Sequence, residues 1–213
     1  MVVPSFGKLS ISLIVTLLSL MLVLLGSREA GLSLADLTDD PSLSRSRAWF
    51  AGGLSTFGLI LMAMASGVAF FSVSLRKFLA VGRRRTSASF WIGGCTAMLL
   101  IDDAYMLHDS FFPSVLNVPE IVPQFLIGGV VFVVLFLFRK AIGESFIFAI
   151  PAVSCWTISV LIDVSMDDTD VVVLLLEDGF KTLGICFWLQ FCWDMAKRSV
   201  EQVLKQKMAK LGV

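Results

Sequence analysis

The sequence predicts an all-α membrane protein, a polytopic bundle of six transmembrane helices with both termini in the cytoplasm. Three observations carry that prediction. Hydrophobic residues make up 57% of the 213 residues, above the usage of soluble domains, which runs nearer half, and the mean hydropathy is +0.87. Six apolar stretches, at roughly 9–26, 48–73, 89–108, 121–138, 145–163 and 171–195, approach or exceed the 20 residues that cross about 30 Å of hydrocarbon. Lys and Arg also concentrate in alternate connections, which fixes the direction of each crossing.

The first stretch follows a lone Lys8 and has the look of a secretory signal, but its apolar run is longer than a signal core, so it is read as a retained span. The 27–47 connection is mixed, with Arg28, Arg45 and Arg47 against Glu29, Asp36, Asp39 and Asp40. It must lie outside if every stretch crosses. After the second span, the 74–88 connection carries Arg76, Lys77, Arg83, Arg84 and Arg85 and is assigned to the cytoplasm. The 109–120 and 164–170 connections have no Lys or Arg and carry Asp109, Glu120, Asp167, Asp168 and Asp170, so they face outward. Arg139 and Lys140 return the 139–144 connection to the inside. Residues 1–196 form the six-span bundle. Residues 197–213 form a basic, amphipathic cytoplasmic tail, with Val200, Val203, Leu204, Met208 and Leu211 at helical spacing among Lys and Gln. Pro123 and Pro151 mark a helix start and a kink, and Gly52, Gly53, Gly58, Gly67, Gly93, Gly94, Gly128, Gly129, Gly179 and Gly184 are expected where helices approach closely.

Acidic residues inside two of these spans are costly in hydrocarbon and point to function. Only Ser89 to Ile101 precede Asp102, about 20 Å of helix, too short to cross. The helix is therefore expected to run through Asp102 and Asp103 to about Leu107, leaving both carboxylates about 10 Å below the outer surface. Glu177, Asp178 and Lys181 enter the sixth span to a similar depth. On an unbroken helix Asp102, Tyr105 and Asp109 share a face with His108, the chain's single histidine, on its flank, while Asp103 turns away. On the sixth span Glu177, Lys181, Gly184 and Trp188 share a stripe, and Lys181 lies one turn from both Glu177 and Asp178, as in an ion pair. The acids outnumber their cationic partners, so those left over would take up protons or hold a cation.

Asp102, His108, Asp109 and Glu177 are thus the candidate metal ligands, with Asp103 and Asp178 as candidate general acid or base. One imidazole among carboxylates suits Mg, Mn or Fe better than structural Zn. Cys95, Cys155, Cys186 and Cys192 all fall within predicted spans, and no C-x-x-C pair exists, which disfavours a disulfide framework and thiolate zinc. Nothing suggests haem or a nucleotide cofactor, and the zero net charge argues against nucleic acid as a partner.

The strings LLIDDAYMLHD (99–109) and LLLEDGFKTLG (174–184) resemble a layout in uncharacterised bacterial multi-pass membrane proteins, in which an acid pair precedes a Leu-His-acid turn and a later span carries acid-acid-x-x-Lys-x-x-Gly. That resemblance implies shared architecture in a bacterial plasma (inner) membrane and no function. The ceramidase-like membrane hydrolases, with intramembrane Asp, Ser and several His around zinc, offer a second comparison. A single histidine and six spans depart from that pattern.

Three readings remain open on the residues. The leading one is an outer-leaflet acidic and histidine site that binds a divalent metal, as in a metal-dependent hydrolase of a lipid or small amphiphile. The alternatives are a cation- or proton-coupled transporter, and a non-catalytic subunit or assembly factor with a membrane-protein partner or a second copy of itself.

Overall fold

A computed structural model of the chain describes residues 52–78, 83–165 and 171–211, with further helical positions between 13 and 26, and every described element is helical. The order is α1 (Gly53–Phe78), α2 (Arg83–Ala104), a π-helical turn (Leu107–Phe111), α3 (Phe112–Leu116), α4 (Ile121–Ile142), a 3-10 turn (Gly143–Ser145), α5 (Phe146–Ser165) and α6 (Val171–Leu211). Half of the expected first span, 9–26, lies outside the described residues.

Among the described residues, two helical stretches are by length and composition apolar enough to cross a membrane, Gly53–Lys77 and Ile121–Ser165. A third qualifies if Arg84–Ala104 and Leu107–Leu116, bent by 56° at their junction, count as one. Their outer faces carry large apolar side chains, Phe71, Phe125, Leu126, Phe132 and Leu137 all being exposed. Exposed large apolar side chains on helices of this length and composition suit association with a membrane.

Packing divides the chain into two compact units, one of residues up to Leu61 with Ile147–Trp188, the other of Met62–Phe146 with residues from Leu189 onward. In the first, Gly58 lies under the Ile185 side chain, and Gly184 lies under the Trp156 ring and the Ala152 carbonyl. Trp156 in turn packs on Trp188 with ring centroids 5.1 Å apart. In the second, Ala65, Ala69 and Val73 of α1 recur at helical spacing on one buried stripe, and Ala88, Ile92, Cys95 and Thr96 do so on α2. The two helices touch where Gly93 meets Ala69 and Phe70, and the Ser66 hydroxyl donates to the Gly93 carbonyl at 3.4 Å. α4 packs on α2, and its buried residues include Val131, Val134 and Leu135.

Close approach therefore explains Gly58, Gly93 and Gly184. It does not explain Gly67, Gly94, Gly128, Gly129 and Gly179, over which a side chain would meet open space among the described residues. The four cysteines are buried and free. Pro123 sits in the first turn of α4 and Pro151 inside α5. Gly143 takes φ 63°, ψ −133°, a conformation only glycine adopts without strain, and this stops α4 before α5 begins.

α2 departs from the sequence expectation in one respect. Its helix stops at Ala104 instead of running on to Leu107, and Met106 takes the left-handed conformation at φ 48°, ψ 46°. The Ser110 and Phe111 amides then both donate to the Met106 carbonyl, at 2.9 and 3.2 Å, which starts the π-helical turn. No glycine or proline lies between Gly94 and Pro113 to announce the break. Left-handed backbone costs a non-glycine residue about 1–2 kcal/mol, so the surroundings must hold it, and the contacts of His108 supply a reason.

Candidate functional site

α2 delivers Asp102, whose side chain is buried, and the π-helical turn delivers His108 and Asp109. Residues six apart on an unbroken α-helix sit about 240° around its axis and cannot face each other. The break at Tyr105–Met106 folds the chain back so that His108 Nδ1 lies 2.7 Å from Asp102 Oδ2. His108 Nε2 lies 2.9 Å from Asp109 Oδ1. The imidazole is therefore clamped between two carboxylates, one buried and one exposed. An ionised carboxylate only accepts, so with both acids ionised Nδ1 donates to Asp102 and Nε2 to Asp109.

Glu120 completes the group. α3 begins with Pro113 in its first turn, where the missing amide hydrogen does no harm, and ends on Asn117 in the left-handed conformation. The Val118 amide closes this turn on the Phe112 carbonyl at 3.2 Å. The chain so returned places Glu120 at the head of α4, where Gln124 Nε2 donates to its Oε1 at 3.2 Å. One ligand atom from each of His108, Asp109 and Glu120 lies within 4.8 Å of the others, a spacing that can hold a metal ion.

Asp102 has a second peculiarity. Its Oδ1 is buried and has no hydrogen-bond partner among the described residues. A buried carboxylate oxygen in that state is expensive unless a proton or a cation meets it. No Lys or Arg occurs between Thr86 and Phe138, so His108 is the only cationic side chain in this stretch of the sequence.

Of the residues singled out from the sequence, Asp102, His108 and Asp109 come together. Asp103 is half-buried on α2 beside Asp102, and Tyr105, expected on the shared face, is 71% exposed at the break. Glu177, Asp178 and Lys181 belong to the other unit, where they are half-buried within one turn of α6. Glu120 was not singled out. Its signal was its place in the acidic 109–120 connection just ahead of Pro123.

A helical membrane-type chain with a histidine between carboxylates is the class that fold and site define. Within it, the chain belongs to the family described as Domain of unknown function (DUF8692), whose model matches residues 11–195. No curated protein and no solved structure matches it.

Proposed function

We propose that this chain is a multi-pass protein of the bacterial plasma membrane, with six spans and both termini cytoplasmic, that binds a divalent cation at the outward end of α2. The observation that carries the reading is the clamp on His108. A metal-bound histidine commonly donates its other ring N–H to a carboxylate, which fixes the ring and strengthens the ligand. Asp102 stands in that relation to Nδ1. An ion that displaced the Nε2 proton would meet its lone pair beside Asp109 and Glu120, and the 2.9 Å between Nε2 and Asp109 Oδ1 suits two neighbouring ligands of one ion. One nitrogen and two or more oxygens favour Mg²⁺, Mn²⁺ or Fe²⁺ over structural zinc.

Three protein ligands leave coordination positions open, the arrangement of a catalytic rather than a structural site. A water held there would be acidified and could attack an ester or amide bond. Asp109 and Glu120 are exposed, and they lie in the connection assigned to the outer surface, so a lipid or small amphiphile entering from the outer leaflet is the substrate class that fits. Asp103, next in the chain to Asp102, and Asp178 are the acids this reading offers for proton transfer.

The test is a Mn²⁺ titration of the chelator-stripped full chain in detergent, followed by thermal unfolding. A ligand that binds only the folded state raises the melting temperature as its concentration rises. Wild type should show that rise, and His108→Ala should not. Equal curves for the two proteins would refute the reading.

A further inference from the structure

The opposite end of the second unit carries a polar cavity of about 290 Å³ that the histidine site does not use. Four segments line it, the end of α1 with Arg76, the start of α2 with Arg85 and Ser89, the Gly143–Ser145 turn, and α6 with Arg198. They fall in or beside the basic parts of the sequence, the 74–88 and 139–144 connections and the stretch from Lys197.

The hydrogen bonds around the cavity divide its charges into those that are matched and those that are not. Arg198 is matched twice, donating through Nε to Asp194 Oδ2 at 2.6 Å and through Nη1 to Glu144 Oε2 at 2.6 Å. Asp194 also accepts from the Ser145 hydroxyl at 2.9 Å. Glu201 lies 3.9 Å from Lys197, one turn away on the same helix. The acids nearby are thus engaged with other partners.

Arg76 is 5% exposed, and its Nε and Nη2 donate to the hydroxyl of Ser199, which offers no charge in return. Its Nη1 is buried with no partner among the described residues. Ser89 is fully buried, and its hydroxyl is likewise without a partner. No carboxylate pairs with Arg76 or Arg85 among the described residues. A buried guanidinium with no anion is strongly unfavourable, and an Arg beside a second Arg and a free hydroxyl is the donor set that receives phosphate oxygens.

The geometry points to this cavity as a binding site for a phosphate group, carried by a membrane phospholipid or by a soluble phosphate ester, with Arg76 and Arg85 as its guanidinium clamp and Ser89 as a hydroxyl donor. The volume accepts a phosphate with part of what it esterifies, being at the small end of ligand pockets. Basic pockets between helices at the inner membrane face receive anionic headgroups, and the charge segregation assigns the basic parts that line this cavity to that face. The site is independent of the cation site at the other end of α2.

Two arms of one experiment separate the sources. The full chain in detergent is titrated with inorganic phosphate, and in parallel it is reconstituted into nanodiscs of phosphatidylcholine alone or phosphatidylcholine with phosphatidylglycerol. Thermal unfolding is read in both arms, and native mass spectrometry of released protein reads retained lipid. Stabilisation by inorganic phosphate assigns the site to soluble esters, and stabilisation with retained phosphatidylglycerol assigns it to lipid. Arg85→Gln, at the half-buried rim, should fold as wild type and weaken the effective probe about tenfold, as loss of one charge-assisted bond predicts. Arg76→Lys keeps the charge but loses the planar fork and should weaken it similarly. No response of the wild type to either probe, or equal responses in wild type and Arg85→Gln, would overturn the proposal.

Discussion

At the scale of single residues, the contact of 2.7 Å between Asp102 and His108 sets the chemistry of the site, because it decides which ring nitrogen keeps its hydrogen. Replacing Asp102 with Asn preserves size and leaves an oxygen for Nδ1 but removes the charge that strengthens the imidazole as a ligand. Asp102→Asn should therefore weaken divalent cation binding by about 10–100-fold, measured by calorimetric Mn²⁺ titration, and an unchanged affinity would show that Asp102 does not act through His108. Asp102, His108 and Asp109 were legible in the sequence as charge in an apolar segment, with the only histidine among them. Their mutual geometry was not, since it depends on a left-handed Met106 that no glycine or proline announces. Glu120 was hidden for the same reason, because it reaches the group only after the break and the Asn117 turn have reversed the chain.

At the scale of helices, the glycines show what a composition argument can and cannot resolve. All were expected at close contacts, yet a Cβ on Gly184 would lie 2.5 Å from Trp156 Cδ1, whereas one on Gly128 would meet nothing within 4 Å. The difference depends on which face of a helix meets a neighbour, and helical periodicity is weak where both faces are apolar. Gly184→Ala should destabilise by about 1–3 kcal/mol through overpacking, while Gly128→Ala should be neutral or slightly stabilising through helix propensity. Thermal unfolding of both variants in one detergent checks the contrast, and equal melting points would contradict the packing described for the first unit. On α6, Glu177 and Lys181 are one turn apart and half-buried, so Lys181→Met alone should cost several kcal/mol by stranding a carboxylate, and Glu177→Gln added to it should restore most of that loss. A double variant no more stable than Lys181→Met would mean that the two do not form a pair.

At the scale of the whole molecule, the apolar stretches and the absence of strands among the described residues were readable because long hydrophobic runs and segregated charge are signals spread over many residues. The polar cluster around Arg76 and Arg198 was not, because its pairs join residues 49, 54 and 123 positions apart, and no local pattern records such partners. The proposed topology places the 109–120 connection outside and the tail inside. A membrane-impermeant thiol reagent should then label Asn117→Cys in intact cells, and should label Lys205→Cys only after the membrane is opened, the four native cysteines being buried. The reverse pattern would invert the topology and, with it, the side from which a cation reaches His108.

The central claim is that His108, Asp109 and Glu120 hold a divalent cation with Asp102 behind the ring. Elemental analysis of the full chain, purified without chelator, tests it most directly when wild type is set beside His108→Ala of equal purity and fold. The account predicts a stoichiometric divalent metal in the wild type that is lost from the variant. A wild type without metal, or the same metal content in both proteins, would contradict it.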